Sequence, residues 1–142
     1  MRRHTATAIL ATLLLTACVP TQTPAADKPA AATKQAAIGL TAKPAEFKPT
    51  VLHRGGDYTS VAVTVTNRGT KDMSVNPFYF KVTDTEGGVH RPELGMDENQ
   101  IDTLTLAPGE HVTGSITVKG AMKLASVTFA DVLGTSVRAS VS

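Results

Sequence analysis

Few side chains in this sequence are suited to chemistry. Its one thiol is Cys18, so neither a disulfide nor a second cysteine nucleophile is available. His53, His90 and His111, with Met73, Met96 and Met122, are of the types that hold copper or zinc. None falls at the short spacing of a ligand pair, so the histidines read as solvent-facing strand and loop residues, His111 lying opposite Val112. Asp84, Glu86, Glu93, Asp97, Glu98 and Asp102 crowd residues 84–102, where Arg91 is the one fixed cation. Such a cluster suggests calcium, but it lacks an alternating ligand loop closing on a bidentate Glu, and solvated hairpin and loop charges account for it. There is no Gly-x-Ser-x-Gly elbow, no His-Glu-x-x-His pair and no phosphate loop. The expectation is a chain that is not an enzyme, with no catalytic residue, metal ligand or cofactor assigned.

The 142 residues suffice for one ordinary domain. Lys and Arg total 14 against 12 Asp and Glu, and Arg2 and Arg3 lie in the first 17 residues, which hold no acid; removing that segment leaves 12 against 12. A formally neutral chain lacks the positive field that gathers phosphate backbones, so nucleic acid is not an expected partner. With no Trp, two Tyr and four Phe, the core must come mainly from Val, Leu, Ile and Ala.

The N-terminus sets the basic pair before an apolar run, residues 6–15, broken only by Thr7 and Thr12. That run is well short of the roughly 20 residues a permanent span requires, and the layout is that of a signal peptide. Leu15, Thr16, Ala17 and Cys18 resemble, at all four positions, the lipobox of bacterial lipoproteins. The resemblance implies cleavage between Ala17 and Cys18, a diacylglyceryl thioether on Cys18, and attachment to the outer side of the cell membrane. Two acyl chains give stable attachment where one gives marginal binding. The competing reading is an ordinary secretory signal that leaves Cys18 as a free thiol.

Residues 19–37 are dominated by Ala, Thr and Pro, with no large apolar side chain after Val19. Ordering them would cost backbone entropy with little apolar burial to offset it, so a disordered tether is expected, with a coil reach of about 22 to 26 Å. From Ile38 the pattern becomes short runs of period two between Gly, Pro, Asn and Asp. Residues 58–67 set Val61, Val63 and Val65 on one face; residues 75–84 set Phe78, Phe80 and Val82 on one face, with Asn76 and Pro77 at a bulge or edge. Residues 89–91, 101–106, 110–119, 124–130 and 134–141 complete about seven strands. That spacing predicts an all-β domain over residues 38–142, an antiparallel β-sandwich.

Three stretches carry a resemblance: residues 61–67 with the turn Thr66-Asn67-Arg68-Gly69, residues 80–88 ending Asp-Thr-Glu-Gly-Gly, and residues 106–114 reading Leu-Ala-Pro-Gly-Glu-His-Val-Thr-Gly. They are similar to the immunoglobulin-like domain of many bacterial lipoproteins and secreted antigens, a family of unknown function related to a mycobacterial secreted antigen. The resemblance covers roughly residues 58–129. It implies an immunoglobulin-like sandwich and supplies no site residues, because the matching motifs are strands and turns.

The function expected from these features is a membrane-anchored, noncatalytic module that binds or scaffolds an extracytoplasmic protein, glycan or cell-wall partner. Its rival is an extracytoplasmic carrier of copper, zinc or calcium. The expected contact surface is the 92–100 loop, where Leu94 and Met96 sit among Glu93, Asp97 and Glu98, together with the 85–88 hairpin.

Overall fold

A computed structural model describes residues 36–142. The expected signal peptide, the expected cleavage between Ala17 and Cys18, the expected lipidation of Cys18 and nearly all of the expected tether therefore lie outside the described residues. Nine strands follow in order: β1 (Ile38–Ala45), β2 (Tyr58–Asn67), β3 (Met73–Val75), β4 (Phe80–Asp84), β5 (Val89–His90), β6 (Leu104–Leu106), β7 (His111–Lys119), β8 (Leu124–Ala130) and β9 (Ser136–Ser140). One sheet has the order β1-β2-β7 and the facing sheet β5-β4-β8-β9, with β3 and β6 forming a two-stranded pair. Every strand pairing is antiparallel. The result is the all-β, immunoglobulin-like sandwich expected from the sequence.

The alternation of β2 is realised as read: Val61, Val63 and Val65 are fully buried, and β7 adds Ile116 and Val118 in register beside them. Phe80, Val82, Val127 and Phe129 supply the opposite face of the core, the two phenylalanine rings 5.0 Å apart. Along one side the sheets are stitched together near β9, where Val141 bridges Ala42 of β1 in parallel and its N–H donates to Ala125 O at 2.9 Å.

Three details differ from the sequence reading. β1 was not among the expected strands, because Gly39, Ala42, Pro44 and Ala45 dilute its apolar alternation; Pro44, which has no N–H to donate, is tolerated on a strand paired with β2 alone in its sheet. The stretch 75–84 is not one strand. Asn76 caps a turn of 3-10 helix, Pro77–Tyr79, by accepting from the Phe78 N–H at 2.9 Å, and the fixed φ of Pro77 suits that first position. Phe78 is thereby turned out to solvent while Phe80 and Val82 remain inside. Finally, residues 101–103 are not strand: Ile101 is buried, but in a loop lying across Gly114.

Candidate functional site

Strand directions sort the connections to two ends of the sandwich. One end gathers the loops 46–57, 85–88, 91–103 and 120–123; the other carries 68–72, 107–110, 131–135 and the point where the chain enters at Ala37.

At the first end, the 91–103 loop folds back over the outer face of β2 and β7 and is zipped to the 46–57 loop. Thr50 N–H donates to Met96 O at 3.0 Å, Glu98 N–H to Lys48 O at 2.9 Å, and Pro49 and Asp97 form an antiparallel bridge. The link to β7 is equally close: Ser115 N–H donates to Asn99 O at 2.7 Å, and Ile101 N–H to Ser115 O at 3.0 Å. Gly114 makes this approach workable, since a Cβ there would lie 2.5 Å from Ile101 Cα.

Asp97 is the centre of the arrangement, 3% exposed. Its Oδ2 accepts from Ser60 Oγ at 2.6 Å, and its Oδ1 accepts from Asn99 N–H at 2.8 Å. Ser60 gives its one proton to the carboxylate, so the Thr117 hydroxyl, 2.7 Å away, donates to Ser60 Oγ. Burial alone would raise the Asp97 pKa, but the hydrogen bonds from Ser60 and Asn99 outweigh it and hold the carboxyl below its ordinary range. Ser115 Oγ, also buried, has no hydrogen-bond partner among the described residues.

This placement corrects the expected contact set. Glu93 and Glu98 are exposed and Leu94 and Met96 half-buried, but Asp97 is enclosed and cannot meet a partner. Its carboxylate belongs to the outer sheet face, whose Ser60, Ser115 and Thr117 it covers. The 85–88 hairpin reaches the same end, yet among the described residues no hydrogen bond joins it to the 92–100 loop. It is tied instead to Lys123, whose carbonyl accepts from Thr85 N–H at 2.9 Å. Within the hairpin Asp84 accepts from Glu86 and Gly88 N–H and pairs with His90 Nε2 at 2.7 Å, which is the largest cause of its lowered pKa.

The 46–57 loop was missed by the sequence reading, and it carries the most exposed apolar side chain at this end, Val51. Phe47, His53 and Tyr58 form an aromatic cluster with ring centroids 5.2 to 5.4 Å apart. Beyond it Val51 is 100% exposed and Leu52 56%, with Lys48 and Arg54 alongside. The available signal was an apolar pair, Val51 and Leu52, between Pro49 and the Gly55-Gly56 pair, a loop too long for a tight hairpin.

His53 sits in the aromatic cluster, His90 on Asp84, and His111 is exposed at the start of β7. Among the described residues no three His, Cys, Asp or Glu side chains are placed to share a metal ion.

At the opposite end the pin is an amide. Asn67 is buried; its Nδ2 donates to Lys71 O and Leu106 O, both at 2.8 Å, and its Oδ1 accepts from Gly69 N–H at 3.0 Å. Its backbone receives Gly109 N–H at 2.7 Å, and its N–H donates to Glu110 O at 2.9 Å. Beside it runs a groove of about 480 Å3 bordered by Ala37, Arg68, Lys71, Met73, Val132 and Leu133.

Fold and site together define an immunoglobulin-like domain whose buried polar groups hold its loops in place at both ends. The chain belongs to the family described as Domain of unknown function (DUF4352), which residues 23–124 match. Among solved structures it is similar to MPT63, a secreted protein from Mycobacterium tuberculosis, at 16% identity and a TM-score of 0.53 over 68% of this chain and 77% of that one. It is similar also to the yjhA protein from Bacillus subtilis, at 17% identity and a TM-score of 0.57, covering 75% and 93%. A third likeness is to ycdA, described as a candidate lipoprotein of Bacillus subtilis, at 11% identity and a TM-score of 0.57 over 75% of this chain and 36% of that one. No curated protein matches by sequence. At these identities the likenesses speak to the fold.

Proposed function

We propose that this protein is a lipoprotein anchored through Cys18 on the outer side of the cell membrane, and that it is a noncatalytic binding module. Its partner is an extracytoplasmic protein, glycan or cell-wall component, and the exposed Val51 and Leu52 favour a protein. The observation that carries this reading is the joined pair of loops, 46–57 and 91–103. They are fixed from below by Asp97 and present Val51, Leu52, Glu93 and Glu98 outward. A surface held in one conformation before contact loses less entropy on binding than a mobile one. The lipobox at residues 15–18 supports the anchor, and the descriptions of the neighbours as a secreted protein and a candidate lipoprotein agree with an extracytoplasmic location.

Two measurements on cells carrying the full chain test it. A fatty-acid analogue should label the parent and not Cys18→Ser; equal labelling overturns the anchor. Crosslinked partner recovery should fall for a folded variant combining Leu52→Ser, Glu93→Ala, Met96→Ala and Glu98→Ala, with Asp97 left in place. Undiminished recovery would move the contact away from this end.

A further inference from the structure

We propose that the end of the sandwich where the chain enters lies on the bilayer surface, with the Val132–Leu133 turn seated among the lipid headgroups. This rests on the lipid anchor proposed above and adds an orientation to it.

Val132 is 68% exposed and Leu133 84%, adjacent residues at the tip of a turn. The turn is built to keep them there. Asp131 Oδ1 accepts from Leu133 N–H at 2.9 Å and Thr135 N–H at 2.8 Å, its N–H donates to Thr135 O at 2.9 Å, and Gly134 takes a positive φ of 85°. Arg68 and Lys71 border the same groove and are exposed, balanced there by two acids, Asp72 and Asp131. Adjacent apolar tips beside a formally neutral polar groove suit the boundary between headgroups and acyl chains.

The occupant is fixed by where the chain enters. Ala37 borders the same groove, so a tether from a lipidated Cys18 reaches the domain at this end. The ten residues of β2 give the sandwich a length of about 33 Å, so the far end lies about that much further from the point of entry than Val132 and Leu133 do. Bringing the 46–57 and 91–103 loops down to the membrane would require the tether to stretch back along the whole domain. Bringing Val132 and Leu133 down requires nothing of it.

The sequence contains no tryptophan, so a single introduced one is a clean reporter. The full chain, purified from membranes, would be reconstituted in phosphatidylcholine–phosphatidylglycerol vesicles with acyl-brominated phosphatidylcholine, as Leu133→Trp and, at the far end, as Val51→Trp. The expected result is a blue-shifted emission quenched by bromolipid for Leu133→Trp and neither effect for Val51→Trp. Vesicle-bound protein in which both are quenched alike, or position 133 is not quenched, overturns the docking and leaves the anchor standing. Protein that does not float with the vesicles and carries no lipid mass on Cys18 overturns the anchor reading and the docking with it.

Discussion

The two ends of this sandwich solve one problem with opposite chemistry. Each must hold a loop against the sheet through a single buried polar side chain. The end bearing the 46–57 and 91–103 loops uses a carboxylate, Asp97, surrounded by donors: two backbone or side-chain protons from Asn99 and Ser60, with a long contact at 3.5 Å from Lys48 N–H. The end where the chain enters uses an amide, Asn67, whose nitrogen faces two carbonyls and whose oxygen faces one N–H. Asp and Asn have nearly the same shape, so the choice between them is set by the partners. Donors call for an acceptor-only group, and carbonyls call for a donor.

Exchanging the two residues is the most direct way to break that contrast, and the larger effect is expected at Asn67. Asn67→Asp places a carboxylate against the Lys71 and Leu106 carbonyls, and should cost about 3 to 4 kcal/mol in denaturant unfolding at neutral pH. Because the mutant carboxyl is disfavoured when ionised, the loss should shrink on acidification. A wild-type stability for Asn67→Asp would show that this end is not held by the amide.

Asp97→Asn should cost about 2 to 3 kcal/mol, since the amide turns N–H groups toward other donors. This loss should also shrink on acidification, here because the titrating carboxyl is the wild type's own. The native pKa values of Asp97 and Asp84 are lowered, so their contribution to stability is complete above the ordinary carboxylate range and is lost as pH falls through it to the native values. Melting temperature should therefore be flat from pH 7 to about 5 and decline below about 4. The decline should be shallower in Asp97→Asn; an unchanged slope would remove Asp97 from the acid response.

The smallest effect sharpens the comparison further. Gly114→Ala sets a Cβ against Ile101 Cα, so the 91–103 loop or β7 must shift, at a cost of about 1 to 3 kcal/mol. Hydrogen exchange should rise at Ser115 and Ile101 while the Asn67 N–H remains protected. Protection lost at both ends together would mean that they unfold as one unit.

The alternation of β2, β7 and β8 was legible because their core side chains are Val, Ile and Phe at period two, a pattern packing fulfils without help. β1 escaped notice because its core face includes the small Ala42 and its other face Gly39, whose small size is dictated by neighbours distant in sequence; Gly39, for example, leaves room for the Arg68 guanidinium. Asn76 and Pro77 were seen as a local irregularity, but that their turn would expel Phe78 followed from the cap geometry. The acidic loop was found and partly misread. Nothing in the order Glu-Leu-Gly-Met-Asp-Glu distinguishes Asp97 from Glu93 or Glu98; the distinction lies with Ser60 and Thr117, 37 and 20 residues away. Exposed apolar tips such as Val51–Leu52 and Val132–Leu133 show in sequence only as apolar pairs between turn residues, and such pairs read equally well as core.

The register of β1 against β2, from Ile38 opposite Asn67 to Ala45 opposite Ser60, also has a mechanical meaning. A pull on the chain upstream of Ala37, opposed by a partner held at the far end, acts along the axis of β1. Where the load leaves through the 91–103 loop, which β7 holds, the ladder is loaded in shear, and its hydrogen bonds share the force instead of opening one at a time like a zip. The parallel bridge from Val141 to Ala42 adds a second flank to the same strand. Rupture under load is governed by the unfolding rate, so a strand gripped on both sides should give way slowly under tension applied between the two ends of the sandwich.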